Sequence, residues 1–76
     1  MEITLDRLLP GVPGIVRKIR SPEQLKSRLK SFGMVPGTEV RVVYRSPDGG
    51  VTALELCGST MALRTCELKR IRVELI

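Results

Sequence analysis

The sequence predicts a mainly β fold, a small SH3-like β-barrel of about five strands with one α-helix at residues ~22–32. Three observations predict it. The 76 residues suffice for a single domain, 1–76, but not for two. Short apolar segments are interrupted repeatedly by Gly and Pro, which is typical of strands joined by tight turns. A sheet of about five short strands can bury a core only when it curls on itself. A barrel is therefore expected.

A weak opening strand is predicted at residues 2–5, and Pro10 and Gly11 then favour a turn. A second strand is predicted at residues 15–20. Its inward residues Val16 and Ile19 are three apart, and simple alternation cannot place both on one face of a sheet. We therefore expect a bulge near Arg17 and Lys18.

The helix has the clearest local signals in the chain. Ser21 is in the N-cap position of a capping pattern, with Pro22 at the first helical position and Gln24 three residues after the cap. Gly33 is suited to a left-handed residue that ends the helix. The apolar stripe expected to face the core consists of Leu25, Leu29 and Phe32.

The second half of the chain predicts hairpins. Pro36 and Gly37 fit the second and third positions of a type II turn, and the glycine-rich segment 46–50 fits the turn between two strands. Val40, Val42 and Tyr44 alternate with their neighbours and are expected on one face. The predicted strands are residues 40–45, 51–57, 61–64 and 71–75. An OB-fold has similar elements, but its helix lies between the third and fourth strands, whereas here the helix precedes the main hairpins.

Composition limits the classes of function. Thirteen Lys and Arg against eight Asp and Glu give a net charge of +5, which favours anionic partners. The absence of His removes the commonest general base and metal ligand, and no phosphate-binding loop or nucleophile motif occurs, so an enzyme is not expected. The chain has no apolar run resembling a membrane span or signal peptide, which predicts a cytoplasmic protein.

The candidate site residues are few. Lys26 and Lys30 fall together on one flank of the predicted helix, with Arg28 on the other flank, and make the exposed side basic. Arg64 follows an apolar pair in a short strand and is a candidate anchor for a partner's carboxylate. These three residues, Lys26, Lys30 and Arg64, are the predicted partner-binding residues.

Metal binding has weaker support in the sequence. Cys57 and Cys66 are weak candidate ligands, because eight residues separate them and two thiolates cannot complete a four-coordinate shell. We interpret them as partly buried structural thiols. This interpretation of the cysteines as structural thiols requires no cofactor.

The order of these segments resembles the FeoA family of ferrous iron transport accessory proteins. The matching segments are Leu8-Leu9-Pro10-Gly11, Val16 and Ile19, residues 28–37, Ala62-Leu63-Arg64, and Ile71 and Val73. The resemblance implies an SH3-like barrel, also found as the carboxy-terminal domain of iron-dependent repressors. It further implies a cytoplasmic role beside the membrane permease FeoB and a link to Fe(II) or another transition metal.

The leading hypothesis is a non-catalytic accessory domain that docks on the cytoplasmic part of the FeoB-type permease, adjacent to the membrane without spanning it. An unpaired edge strand would also allow a homo-oligomer. One alternative is a basic nucleic-acid-binding barrel, since Arg17, Lys18 and Arg20 form a local cluster, although the single Phe and single Tyr provide few stacking platforms. Nucleic acid is therefore not the expected partner. Another alternative is a metal-sensing domain related to the iron-dependent repressors.

Overall fold

The computed structural model describes all residues, Met1–Ile76, and has one antiparallel sheet of six strands. The spatial strand order is β1-β6-β2-β3-β4-β5. A 3-10 helix, Leu5–Arg7, follows β1, and the two α-helices follow β2 and β5. The elements are β1 Glu2–Thr4, β2 Gly14–Ile19, α1 Glu23–Ser31, β3 Glu39–Arg45, β4 Val51–Leu56, β5 Ser59–Arg64, α2 Thr65–Leu68 and β6 Ile71–Leu75.

The mainly β, SH3-like class predicted from the sequence is confirmed, with two differences in the element count. There are six strands, one more than the predicted total of about five, because each of the six predicted segments, including the weak opening one, pairs in the sheet. The expectation of one α-helix was incomplete, since α2 forms a second helix of four residues. One turn of helix is too short for its periodicity to be recognised in a sequence. Neither helix has the length or apolar character needed to span a bilayer.

The core is built almost entirely from aliphatic side chains contributed by every strand except β1, by both α-helices and by the segments between elements. Dispersion and burial of this apolar surface supply the main stabilisation of so small a fold. The thirteen buried apolar residues are Leu5, Leu8, Val16, Leu29, Met34, Val40, Val42, Leu54, Leu56, Leu63, Leu68, Ile71 and Val73.

Two bulges bend the sheet. In β2 the register with β6 shifts between Val16 and Lys18, which confirms the predicted bulge and lets Val16 and Ile19 both face the core. In β3 the register with β4 shifts between Val42 and Tyr44. The expectation that Tyr44 shares the face of Val42 was wrong: the extra residue of the bulge leaves Tyr44 58% exposed.

The start of α1 differs from the sequence prediction. Pro22 is the N-cap residue, the helix begins at Glu23, and no side chain caps it. The predicted Ser21 cap was wrong, because its hydroxyl has no hydrogen-bond partner. A residue before proline is held in an extended conformation, which leaves Ser21 outside the first turn.

The end of α1 follows the predicted glycine stop. Gly33 has φ +91°, its N–H donates to Lys30 O at 3.0 Å, and the Met34 N–H donates to Leu29 O at 2.9 Å. These bonds form a Schellman motif with an apolar contact between its ends. Met34 thereby occupies the core beside Leu29, and the expectation that Phe32 packs inward was wrong, since its side chain is 53% exposed.

Three tight turns position the strands after α1. The Thr38 N–H donates to Val35 O at 3.0 Å and Gly37 has φ +98°, so the predicted type II turn is present.

In the β3–β4 turn the Ser46 hydroxyl and the Gly50 N–H donate to the Asp48 carboxylate. These hydrogen bonds hold the pKa of Asp48 below its usual value. In the β4–β5 turn Cys57 and Gly58 both have positive φ, the arrangement of a two-residue type I′ hairpin.

Arg45 joins β3 to the segment that follows β1. Its guanidinium donates to Asp6 O at 2.8 Å and to Leu8 O at 2.7 Å, at the end of the 3-10 helix. The side chain is partly buried, so these charge-assisted bonds are shielded from solvent. Arg45 therefore fixes the first segment of the chain against the barrel.

We expect Arg45→Met to lower the free energy of unfolding by about 2 kcal/mol, because the replacement keeps the aliphatic stem but removes the charged donor to two carbonyl oxygens. Urea unfolding followed by circular dichroism measures the change. The matched control is Arg41→Met on the exposed face of the same strand, which we expect to change stability by at most about 0.5 kcal/mol. Equal effects of the two substitutions would contradict the role assigned to Arg45.

Candidate docking surface

The most basic concave surface lies between α1 and the bulge of β2. It is a groove of about 480 Å³ whose lining includes four cationic side chains and a single carboxylate, that of Glu23. The turn after α1 forms its floor with Met34, Val35 and Pro36. We call it the basic groove and define it by Arg17, Lys18, Lys26 and Lys30.

The local structure explains why these cations converge. The β2 bulge turns both Arg17 and Lys18 outward, where regular alternation would expose one of them and bury the other. Lys26 and Lys30 are four residues apart in α1 and therefore lie on the same face, one turn above the other. The bulge and the helix face each other across the groove. The structure thus brings together two basic clusters that are separate in the sequence.

The charges of the basic groove are only partly neutralised. Arg17 pairs with Glu74 at 2.9 Å, and both side chains are substantially exposed. None of Lys18, Lys26 and Lys30 lies within 4.0 Å of a carboxylate oxygen. Three ammonium groups therefore remain available to an anionic partner. A concave surface lined by one sign of charge concentrates such a partner electrostatically.

The third predicted partner-binding residue lies elsewhere. Arg64 ends β5 and precedes α2, and its side chain is exposed beside Arg28. Arg28 is on the opposite side of α1 from the two groove lysines, since it is two residues from each of them in the helix. It pairs with Glu67 at 2.9 Å. The structure therefore brings Lys26 and Lys30 together and separates Arg64 from both.

The two cysteines do not converge. Cys57 lies in the turn before β5 and Cys66 in the helix after it, so the six-residue strand places them about 20 Å apart at ~3.3 Å per residue. Both thiols are exposed, and the interpretation as partly buried thiols was wrong. No group of three or more His, Cys, Asp or Glu side chains is arranged to hold a metal ion.

An apolar patch on another face was not found from the sequence. The loop after the 3-10 helix lies against β3, where the Gly11 N–H donates to Val42 O at 3.0 Å. The consecutive valines at positions 42 and 43 break the alternation of β3. This break is the sequence feature from which a bulge there could have been predicted. The exposed side chains of this loop and of the β3 bulge are Leu9, Val12, Val43 and Tyr44.

Comparison with known proteins gives consistent results. The family model described as the FeoA domain matches residues 3–75. The putative Fe(2+) transport protein A of Campylobacter jejuni subsp. jejuni is 32% identical over 74 residues, which cover 97% of this chain and all of that protein.

Solved structures agree in fold. A crystal structure of an iron uptake regulatory protein (FeoA) superposes with a TM-score of 0.88 at 26% identity, and each chain is fully covered. Stenotrophomonas maltophilia FeoA complexed with zinc, described as a prokaryotic SH3 domain protein, has a TM-score of 0.80 at 30% identity over 95% of this chain and 89% of that one. A manganese-dependent transcriptional repressor, at 21% identity and a TM-score of 0.86 over 42% of its own chain, shares the fold.

The separation of the cysteines predicts that one chain gains no stability from a thiol-bound metal. Cys57→Ser combined with Cys66→Ser is expected to change the free energy of unfolding by at most about 0.5 kcal/mol, because both side chains are exposed. Thermal unfolding with excess Zn²⁺ and with EDTA tests the prediction. A stabilisation by Zn²⁺ in the wild type that disappears in the double variant would contradict it.

Proposed function

The chain belongs to the FeoA domain family, and we propose that it is an accessory protein of ferrous iron uptake that binds the cytoplasmic part of a FeoB-type permease. The family match over residues 3–75 supports the link to ferrous iron transport. The interaction takes place on the cytoplasmic side, next to the membrane. The contact surface is the basic groove.

The observation that carries this proposal is the set of unpaired lysines in the basic groove. Lys18, Lys26 and Lys30 face one concave surface and have no intramolecular carboxylate partner. An acidic surface of the permease would pair with them and would be steered toward them before contact. Arg64 belongs to a separate surface beside Arg28 and is not part of this contact.

The proposed role is regulatory and needs no catalytic chemistry. The basic groove is lined by cations, a serine and apolar groups, with Glu23 as its one acidic side chain. A protein that binds one conformation of a transporter more tightly than another shifts the population toward that conformation. Fe(II) is then the cargo of the partner. This mechanism requires no contact between the ion and this chain.

We expect Lys26→Glu combined with Lys30→Glu to weaken binding to the purified cytoplasmic part of the permease about tenfold or more, because two attractive charges become repulsive. Titration calorimetry at 50 and 300 mM salt measures the affinity and its salt dependence. The matched control is Lys69→Glu combined with Arg70→Glu, which makes the same change in net charge at exposed positions outside the groove. Equal loss in the two double variants would contradict docking through the basic groove.

Nucleic acid is the competing anionic partner, since Arg17 and Lys18 line the same groove. The same two double variants separate the possibilities. Titration of a fluorescent DNA duplex at physiological salt is expected to give no more than the weak binding, around 10⁻⁴ to 10⁻⁶ M, of a non-specific contact. Tight duplex binding that is lost in the groove variant, without any binding to the permease, would replace the proposed function with the nucleic-acid alternative.

A further inference from the structure

A second groove lies between α1 and the outer edge of β5. β5 is the last strand of the sheet and pairs only with β4. Two adjacent depressions of about 520 and 400 Å³ run beside it, and both are lined by Arg28 from α1 and Ala62 from β5. We call these two depressions together the helix–strand groove. It is distinct from the basic groove, which lies on the other side of α1.

The hairpin geometry decides which backbone groups of β5 face this groove. In a two-residue type I′ hairpin the residues flanking the turn, here Leu56 and Ser59, form a hydrogen-bonded pair. Hydrogen-bonded and non-hydrogen-bonded pairs then alternate along the ladder. Thr60, Ala62 and Arg64 are in the non-hydrogen-bonded positions. Their N–H and C=O groups therefore point away from β4.

Two hydrogen bonds at the end of β5 agree with this alternation. The Thr65 N–H donates back toward β4, to Gly50 O at 3.0 Å. The Arg64 N–H, one residue earlier, points outward and donates to Glu67 Oε1 at 2.9 Å. The two preceding outward residues have no such partner, since no turn, loop or cap hydrogen bond involves them. Positions 60 and 62 therefore offer unpaired donors and acceptors to the groove.

This edge lacks the usual protection against strand addition. Natural edge strands are blocked by lysines, prolines or bulges, or are kept very short. β5 has six residues, and its register with β4 is regular from Val51–Arg64 to Leu56–Ser59. Its residues before Arg64 include no charge and no proline. The opposite edge of the sheet, β1, has only three residues.

The walls of the helix–strand groove indicate what kind of strand it accepts. At one end the half-exposed ring of Phe32 lies across from Met61 and Thr60. At the other end Arg64 has no salt-bridge partner. The one carboxylate there, that of Glu67, pairs with Arg28. The groove therefore combines an apolar wall with excess positive charge.

We propose that the edge of β5 binds an extended peptide segment with alternating apolar and acidic side chains, which adds to the sheet as a seventh strand. Main-chain hydrogen bonds to positions 60 and 62 provide affinity, and Phe32 and Arg64 select the side chains. The positive charge of Arg28 and Arg64 favours an acidic peptide as the occupant over a second copy of this chain, whose net charge is +5. The proposal is independent of docking at the basic groove.

The direct test is amide exchange with water, measured by NMR on the ¹⁵N-labelled protein. The probe is a blocked pentapeptide of alternating valine and glutamate, added to saturation. We expect exchange of the Thr60 and Ala62 amides to slow at least fivefold, because each gains a carbonyl partner. The amides of Met61 and Leu63 already bond to β4 and serve as internal controls.

Variants separate the backbone contribution from the charge contribution. Ala62→Pro removes an N–H that makes no bond within the sheet, and we expect it to weaken peptide binding at least tenfold with the fold retained. Ala62→Val keeps the N–H and is expected to bind the peptide normally.

The charge contribution is tested with a pentapeptide that has lysine in place of glutamate, which is expected to bind at least tenfold more weakly. Arg64→Glu is expected to reduce or reverse this preference for the glutamate peptide.

Three results would overturn the proposal. One is unchanged exchange at positions 60 and 62 with the peptide at saturation. Another is equal binding of the glutamate and lysine peptides. The third is protection of the same amides that rises with protein concentration in the absence of peptide, which would assign the edge to a second copy of the chain. Should the proline variant fail to fold, exchange in the wild-type protein decides the question.

Discussion

The structure depends on curling a six-stranded sheet around a small aliphatic core. A flat sheet of this size would leave one face of apolar residues in water, so the strands must bend, and bulges in β2 and β3 provide the bend. Each bulge also exposes a side chain that regular alternation would bury. The β2 bulge adds a cation to the basic groove, and the β3 bulge exposes Tyr44 in the apolar patch. Closure of the sheet therefore also creates the two most distinctive surfaces of the protein.

Helix α1 lies between the basic groove and the helix–strand groove, the two surfaces for which we propose binding partners. Its core-facing side is reduced to Leu29 and the partly buried Leu25, which leaves both flanks free. One flank presents Lys26 and Lys30 to the basic groove, and the other presents Arg28 and Phe32 to the edge of β5. The Schellman motif fixes where the helix stops and hence where both flanks end. A nine-residue helix thus borders both of the grooves for which we propose binding partners.

Local chemistry made much of the fold predictable. The helix stop at Gly33, the type II turn, the β2 bulge and the hairpins follow from residue types within a few positions of one another. The errors concern three-dimensional context: Phe32 is displaced from the core by Met34, and Tyr44 is turned outward by a bulge that depends on pairing with β4. Lys26 and Lys30 could be grouped from helical spacing. Their meeting with the β2 cations, and their separation from Arg64, depend on tertiary packing that no local pattern encodes.

The position of β6 between β1 and β2 has a consequence for synthesis on the ribosome. β1 has no other partner strand, and most of β2 pairs only with β6, so both wait for a segment made some fifty or more residues later. The β3–β5 meander can form early, because its pairings are between neighbouring strands. The nascent chain therefore emerges with half of its sheet unpaired until residues 71–75 leave the exit tunnel. This half of the sheet can fold only after residues 71–75 have emerged, and pairing between strands so distant in the sequence is intrinsically slow.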